Sequence, residues 1–273
     1  MSPPWARRTD GVEIHPGDGV VPILKEAGPR SLQIVGTGFY LTRYGLFGTA
    51  RHVLEELVPS EGKGATRSFV LHRADDNSLH FRRILRVHMH KSADIGVGQA
   101  DNYLDRFPDN PLWNMRPILC TQLPAPGSPL VTYAYPENRV MDFAVPPQER
   151  IIQCGYYEGA FLRYVAETEH PFMDVPYFET TIDVRSGASG GPVFNQSGRI
   201  IGVNCRSWEF DGHDEPLSYM VPIERLFELE IDPAGIPRDS WEAAQMPSEA
   251  WTRWLSGYGL CLYGHTGLEP PVR

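Results

Sequence analysis

The chain lacks several features that would assign it to a common functional class. Its 273 residues carry 25 Lys and Arg against 34 Asp and Glu, a formal net charge of -9. The sequence has no basic stripe, which argues against nucleic acid as a partner. No apolar run approaches the roughly 18 residues of a membrane span. The first residues, MSPPWARRTDGVEIHPGDG, lack the apolar core of a secretory signal. These absences predict a cytoplasmic protein that binds neither nucleic acid nor membrane.

Cysteine is scarce, and its spacing excludes the usual zinc motifs. The sequence has four widely separated cysteines and no C-x-x-C pair. They are Cys120, Cys154, Cys205 and Cys261. Two histidines, His88 and His90, alternate on a predicted strand, but no third ligand is spaced for a metal site. We therefore expect no metal and no cofactor, and we interpret the cysteines as reduced thiols; a chain exported by another route, with disulfides, is the alternative.

Glycine and proline are abundant, and they divide the chain into short segments. The 26 glycines and 25 prolines indicate many short elements joined by turns, which favours a β-rich fold. Alternating segments such as SLQIVGTGFYLT and LHFRRILRVHMH predict strands, in two successive sets that suggest a double β-barrel or a sandwich. We divide the chain into an N-terminal arm (1–30), a strand-rich domain (31–230) and a C-terminal extension (231–273). Amphipathic SEAWTRWLSGYG predicts a helix in the extension, packed on the strands.

One glycine-rich segment, VRSGASGGPVFN, frames a single serine, Ser189. A serine hydroxyl is a poor nucleophile until a base, usually a histidine held by a carboxylate, takes its proton. The tetrahedral intermediate then needs backbone N–H donors aimed at its oxyanion. Glycines allow the dihedral angles that turn successive amides the same way. We therefore expect the amides of Gly187 and Ser189 to form an oxyanion hole.

Three segments together resemble the trypsin/chymotrypsin-like serine peptidases. The segment GASGGPVFNQSGRIIGV is similar to that family's nucleophile loop, GTGFYLTRYGLFGTARHV to its histidine segment, and SADIGVG to its aspartate segment. The resemblance implies that His52 is the base and Asp94 the carboxylate that orients it. Asp101 and Asp105 lie nearby and compete with Asp94. We favour Asp94 because it opens an apolar strand, where a buried carboxylate needs a partner.

The resemblance also implies the fold and the reaction. It predicts an all-β, chymotrypsin-like fold of two antiparallel six-stranded β-barrels with the triad in the cleft between them, followed by the helical C-terminal extension. The implied function is an intracellular serine endopeptidase that cleaves a protein substrate through an acyl-enzyme and is regulated by a protein partner. The alternative is a catalytically silent, trypsin-like binding module.

Departures from the digestive branch of this family concern activation and specificity. The family's acidic residue before the nucleophile is Ala188 here, so activation by insertion of a new N-terminus is not expected. In this respect the chain resembles the bacterial HtrA-like and glutamyl-endopeptidase-like branches. The resemblance places the pocket for the substrate's P1 side chain near Asp183, Asn204 and Ser218. Because Arg185 lies beside Asp183, basic, apolar and acidic P1 residues all remain open.

Overall fold

The structure is a computed structural model that describes residues 6–7, 13–28, 31–41, 45–58, 67–73, 79–101, 117–136, 140–142, 152–166, 175–208, 217–229 and 261–263. These residues form seventeen strands, one α-helix and two 3-10 helices. The strands up to the middle of the chain are β1 (Ala6–Arg7), β2 (Glu13–Ile14), β3 (Val20–Gly28), β4 (Ser31–Tyr40), β5 (Leu46–Thr49), β6 (Ser68–Arg73), β7 (Leu79–Met89) and β8 (Gly96–Ala100). The remaining strands are β9 (Ile118–Cys120), β10 (Pro129–Ala134), β11 (Val140–Asp142), β12 (Gly155–Val165), β13 (Tyr177–Thr180), β14 (Pro192–Asn195), β15 (Ile200–Trp208), β16 (Leu217–Pro222) and β17 (Cys261–Tyr263). The helix α1 (Arg51–Glu55) follows β5, and the 3-10 helices are Pro16–Asp18 and Ile223–Glu228. None of these described helices has the length and hydropathy needed to cross a membrane.

The first barrel is a closed ring of six antiparallel strands. Its order is β4-β3-β6-β7-β8-β5, and the pairing of β4 with β5 closes it. Buried side chains such as Ile23, Val35, Phe47 and Val70 fill its interior. Closure of the ring leaves no free edge among these strands, which is how antiparallel sheets of this size avoid exposed backbone groups.

The second barrel has the same construction. Its order is β14-β10-β12-β13-β16-β15, closed by the pairing of β14 with β15. Its interior contains Leu130, Phe161, Val193 and Met220. The two six-stranded antiparallel barrels confirm the predicted fold class.

A third hydrophobic cluster joins the two barrels. Phe39 and Ile95 come to it from the first barrel, Val203 and Val221 from the second, and Leu226 from the 3-10 helix that follows β16. Burial of these side chains stabilises the packing of the two barrels against one another. Each Å² of apolar surface removed from water contributes roughly 25 cal/mol. The loops that meet at this seam are therefore held on a rigid base.

Strand β3 lies in the segment that the sequence assigned to an N-terminal arm. It pairs with both β4 and β6, so the first barrel starts at Val20 and the boundary at residue 30 moves accordingly. This segment is rich in proline and glycine, which favoured an arm over a strand. Within β3, Pro22 is tolerated because β6 pairs only with Ile23, Leu24 and Lys25, which leaves the proline outside that hydrogen-bond ladder.

Additional strands pair with single strands of the barrels and lie outside the closed rings. Strand β11 pairs with the start of β4, and β9 pairs in parallel with β15. In the C-terminal extension, the predicted helix lies outside the described residues. The described part of the extension, β17, is a strand that pairs in parallel with β9. The 3-10 helix Ile223–Glu228 follows directly after β16.

Candidate active site

One short helix and two loops carry the predicted triad residues. His52 lies on α1, directly after β5 of the first barrel. Asp94 lies in the connection between β7 and β8. Ser189 lies in the loop between β13 and β14 of the second barrel. The hydrogen bonds around these residues define what the arrangement can do chemically.

The side chain and the main-chain amide of His52 both form hydrogen bonds with the carboxylate of Asp94. His52 Nδ1 lies 2.8 Å from Asp94 Oδ2 and 3.0 Å from Oδ1, and the main-chain amide of His52 donates to Oδ1 at 2.9 Å. An ionised carboxylate has only acceptors, so the proton of the neutral imidazole sits on Nδ1. The other ring nitrogen, Nε2, therefore carries the lone pair. This is the tautomer in which a histidine can accept a proton from a hydroxyl.

The pKa of the Asp94 carboxyl lies below its ordinary value. Burial by itself raises this pKa, but the hydrogen bonds and charge of His52 outweigh burial, with a further contribution from the charge of Arg206. The carboxylate therefore stays ionised at neutral pH and orients the histidine as an anion.

Replacing Asp94 by asparagine is expected to remove a pH-dependent part of the stability. A lowered folded-state pKa stabilises the fold fully above the unfolded value of about 3.9, and this contribution is lost as the pH falls through the folded pKa. Urea unfolding measures the free-energy gap between wild type and Asp94→Asn. The gap is expected to be constant above about pH 5 and to shrink below about pH 4. Asp101→Asn is the control. A difference in unfolding free energy between wild type and Asp94→Asn that does not change with pH would contradict this prediction.

The segment that carries Asp94 is itself tied to α1. The N-cap residue of α1, Ala50, makes no side-chain hydrogen bond to the helix. The carboxylate of Asp94 instead accepts the main-chain amide of His52, one of the amides in the first turn that lack a partner within the helix. Arg51 donates to the carbonyls of His90 and Lys91 at 3.1 and 2.7 Å. The ring of His90 accepts the amide of Ala93 at 2.8 Å. These bonds fix the position of Asp94 relative to His52.

The loop around Ser189 has the backbone shape of an anion-binding turn. The amide of Ala188 donates to the carbonyl of Arg185 at 2.9 Å, and Gly187 at the third turn position has φ of 92°. A positive φ at this turn position favours glycine. Among the residues that the structure describes, no acceptor receives the amides of Gly187 and Ser189. Two neighbouring free amides can bind an oxyanion.

The hydroxyl of Ser189 donates to the carbonyl of Cys205 at 3.1 Å. Its proton is therefore not shared with His52 in this arrangement.

Cys205 supports the site but is not a nucleophile. Its side chain is buried and donates to the carbonyl of Asp94 at 3.2 Å. Burial, assisted by the charge of Asp94, raises the pKa of this thiol well above its ordinary value. A thiol that stays protonated lacks the thiolate needed for attack. Its contribution is a carbonyl that receives the Ser189 hydroxyl and a contact that holds the main chain of Asp94.

The competing carboxylates of the sequence analysis have different places. Asp101 follows β8, where its amide donates to the carbonyl of Arg83 and its own carbonyl accepts from Arg82. Asp105 lies outside the described residues. Of the two described carboxylates, Asp94 is the one that contacts His52.

The residues predicted to line the P1 pocket differ in their exposure and hydrogen bonding. The Asp183 side chain is 58% exposed and lies 3.5 Å from Arg185 Nε. Asn204 is buried and donates to the hydroxyl of Thr132 at 2.7 Å. Ser218 is buried and shares a 2.7 Å hydrogen bond with Thr180. The polar groups of Asn204 and Ser218 are therefore already paired inside the second barrel.

Thr37 is a site residue that the sequence analysis did not single out. It lies on β4, and its amide donates to the carbonyl of Ser189 at 2.8 Å. The signal that could have found it is the Gly-Thr-Gly segment within GTGFYLT, which was noted only for its likeness to a family strand. In the described ranges, no group of three His, Cys, Asp or Glu side chains is arranged to hold a metal ion.

Comparison with known proteins identifies the family and the fold. The family model described as a trypsin-like peptidase domain matches residues 36–203, which includes all three predicted triad residues. Among solved structures, Deg5 superposes with a TM-score of 0.55 at 18% identity, covering 76% of this chain and 85% of that one. The HtrA-type protease AlgW with a tripeptide superposes with a TM-score of 0.53 at 15% identity, covering 78% and 58%. At these identities the two solved structures show a shared fold.

Curated relatives match shorter stretches. A probable periplasmic serine endoprotease, DegP-like, of Pseudomonas putida (strain W619) is 36% identical over 55 residues, 20% of this chain and 12% of that protein. The protein of the same description from Hahella chejuensis (strain KCTC 2396) is 28% identical over 69 residues, 24% of this chain and 15% of that protein. The chain thus matches only a small part of the length of these relatives.

The relatives correct the expected location. The sequence analysis predicted a cytoplasmic protein, whereas the matched proteins are named periplasmic. The cytoplasmic prediction is therefore wrong. It rested on the missing apolar segment at the N-terminus, and a missing signal does not determine the compartment of a folded domain. The fold, the site and the family match agree on the remaining assignment: the chain belongs to the trypsin-like serine peptidase family, in the style of the HtrA proteases.

Proposed function

We propose that the protein is an endopeptidase that cleaves protein substrates through an acyl-enzyme on Ser189. The observation that carries this proposal is the pairing of Asp94 with His52 Nδ1 beside the two free amides of the Ser189 loop. In one place it supplies an oriented base and an oxyanion site. The names of the matched relatives support a periplasmic setting for this activity.

The reaction would proceed in two halves. In the first, the Ser189 hydroxyl turns from the Cys205 carbonyl to His52, which takes its proton as the oxygen attacks the substrate carbonyl. The amides of Gly187 and Ser189 hold the oxyanion, and His52 then gives the proton to the leaving amine. In the second half, His52 takes a proton from water, which attacks the acyl-enzyme, and returns it to Ser189.

A fluorophosphonate probe tests the assignment directly. The phosphorus atom reacts with an activated serine and places its oxygen in the oxyanion site. Mass spectrometry of the labelled protein is expected to locate the adduct on Ser189, together with turnover of unfolded protein substrates. An adduct on another residue, or none in a folded sample that binds proteins, would favour the catalytically silent binding module.

We also propose that a protein partner regulates this activity. The position of the Ser189 hydroxyl on the Cys205 carbonyl supports a resting state, because a hydroxyl bonded there is not activated by His52. Ala188 has no carboxylate that could pair with a newly formed N-terminus. Its methyl group is buried in the apolar interior of the second barrel. Faster labelling of Ser189 on addition of a partner supports this proposal, whereas full activity of the isolated protein contradicts it.

The chain is expected to prefer apolar residues over basic residues at P1. A carboxylate selects a basic side chain strongly when it is buried and unpaired, but Asp183 is exposed beside Arg185. Val184 and Met220 are buried in the same apolar cluster as Ala188 of the Ser189 loop. In a library of peptides, kcat/KM for Ala, Val or Leu at P1 is expected to exceed that for Arg or Lys by about tenfold or more.

The matched variant for this preference is Asp183→Asn. It is expected to leave the ranking of P1 residues unchanged, since the charge it removes faces solvent. A wild-type preference for Arg or Lys that disappears in Asp183→Asn would show that the carboxylate does face the substrate.

A further inference from the structure

Thr37 connects the first barrel to the Ser189 loop through its main chain and its side chain. It is fully buried at the seam between the barrels. Its hydroxyl donates to the carbonyl of Gly187 at 2.9 Å and accepts the amide of Tyr135 at 3.0 Å. Its carbonyl accepts the hydroxyl of Thr49 at 2.7 Å, and its amide donates to Ser189. Every polar group of this residue is therefore paired.

The Gly187 carbonyl, which the Thr37 side chain binds, belongs to the peptide unit in the middle of the oxyanion-binding segment. The unit joining Gly187 to Ala188 lies between the two units that carry the free amides of Gly187 and Ser189. Its N–H is held by the carbonyl of Arg185, and its C=O is held by Thr37. Because peptide units are planar, fixing both polar groups of the middle unit sets the dihedral angles from which the two outer amides project.

The hydroxyl is the group that makes this connection directional. It acts at once as a donor to Gly187 and as an acceptor from Tyr135, which fixes its rotamer. Valine has the same shape as threonine but can do neither. The variant Thr37→Val would leave the Gly187 carbonyl and the Tyr135 amide without these partners, while the main-chain bond from Thr37 to Ser189 would persist.

We propose that Thr37 is a positioning residue that sets the orientation of the oxyanion-binding amides from across the barrel seam. The proposal rests on the proposed function, since it concerns how that site stabilises the transition state. A peptide unit that turns by a small angle moves its neighbours' amides away from the oxyanion. Misplacement by about 1 Å lowers rates by about 10²-fold.

The kinetic test compares three variants with wild type. In Thr37→Val, kcat is expected to fall by up to about 10²-fold with KM nearly unchanged, because the lost interaction acts only in the transition state. The variant Thr37→Ser keeps the hydroxyl and is expected to recover most of kcat. Tyr135→Phe is the matched control, because it removes a buried hydroxyl bond to Val20 at the same seam without touching Gly187. Equal losses of kcat in Thr37→Val and Tyr135→Phe would overturn the proposal.

A second readout does not depend on activity. The amide proton of Ala188, bonded to Arg185, is expected to exchange with solvent faster in Thr37→Val than in wild type, Thr37→Ser or Tyr135→Phe. Nuclear magnetic resonance measures this exchange residue by residue. If wild type fails to cleave any peptide, the proposed function is wrong. The exchange of the Ala188 amide still reports whether the Thr37 hydroxyl holds the Ser189 loop in position. Unchanged exchange in Thr37→Val would overturn the role of Thr37 even in an active enzyme.

Discussion

Replacing Ser189 by alanine is expected to lower kcat for peptide cleavage by about 10⁶-fold, with His52→Ala close behind. The members of a triad act as one unit, so either loss leaves only the contributions of substrate binding and the oxyanion site. The double variant is therefore expected to be no slower than Ser189→Ala alone. This non-additivity separates a shared mechanism from two independent effects on the fold.

Active-site titration with the fluorophosphonate probe gives the measurement. Wild type is expected to incorporate one label per chain and Ser189→Ala none. Ser197→Ala is the control, because Ser197 lies in the turn between β14 and β15, away from the site. Labelling that persists in Ser189→Ala, or a double variant far slower than either single one, would refute the assignment of Ser189 and His52 as nucleophile and base.

Replacing Gly190 by alanine is expected to be the most destabilising single change in the Ser189 loop. Gly190 has φ of 87°, which costs an alanine about 1 kcal/mol or more. A Cβ there would lie 2.0 Å from Thr49 Oγ1 and 2.2 Å from the Thr37 carbonyl, both buried. Overpacking of this kind adds roughly 1–3 kcal/mol. The loop must then withdraw from the first barrel, so activity is expected to fall as well.

Gly127 provides a matched control for the backbone term. It has φ of 81°, and a Cβ there would meet nothing within 4 Å. Gly127→Ala is therefore expected to lower the free energy of unfolding by only about 1–2 kcal/mol. Urea unfolding of both variants measures the difference, which isolates the close approach of the Ser189 loop to the first barrel. Equal destabilisation of the two would mean that the seam yields to the extra methyl group.

The barrels illustrate how far local sequence patterns extend. Strand β7 was predicted because its alternating residues lie within one short stretch. Strand β3 was assigned to an N-terminal arm because its evidence is not local: it joins the barrel through pairing with both β4 and β6.

The sequence by itself determined the chemistry of the site. A serine framed by glycines indicated the candidate nucleophile from residue type and local dihedral freedom, which a short segment carries with it. The resemblance to the trypsin-like peptidases then assigned His52 and Asp94 as its predicted partners, and these two residues do form a pair. The same resemblance made activation through a new N-terminus unexpected, because Ala188 stands where the digestive branch has an acidic residue.

Only the tertiary structure decided which groups hold that site in place. The hydroxyl of Thr37 donates a hydrogen bond to the carbonyl of Gly187, 150 residues away in the sequence. The hydroxyl of Ser189 donates to the carbonyl of Cys205. It also showed Asp183 exposed beside Arg185. Such contacts depend on the packing of one barrel against the other, and a hydrogen bond between distant segments leaves no periodic trace in either of them.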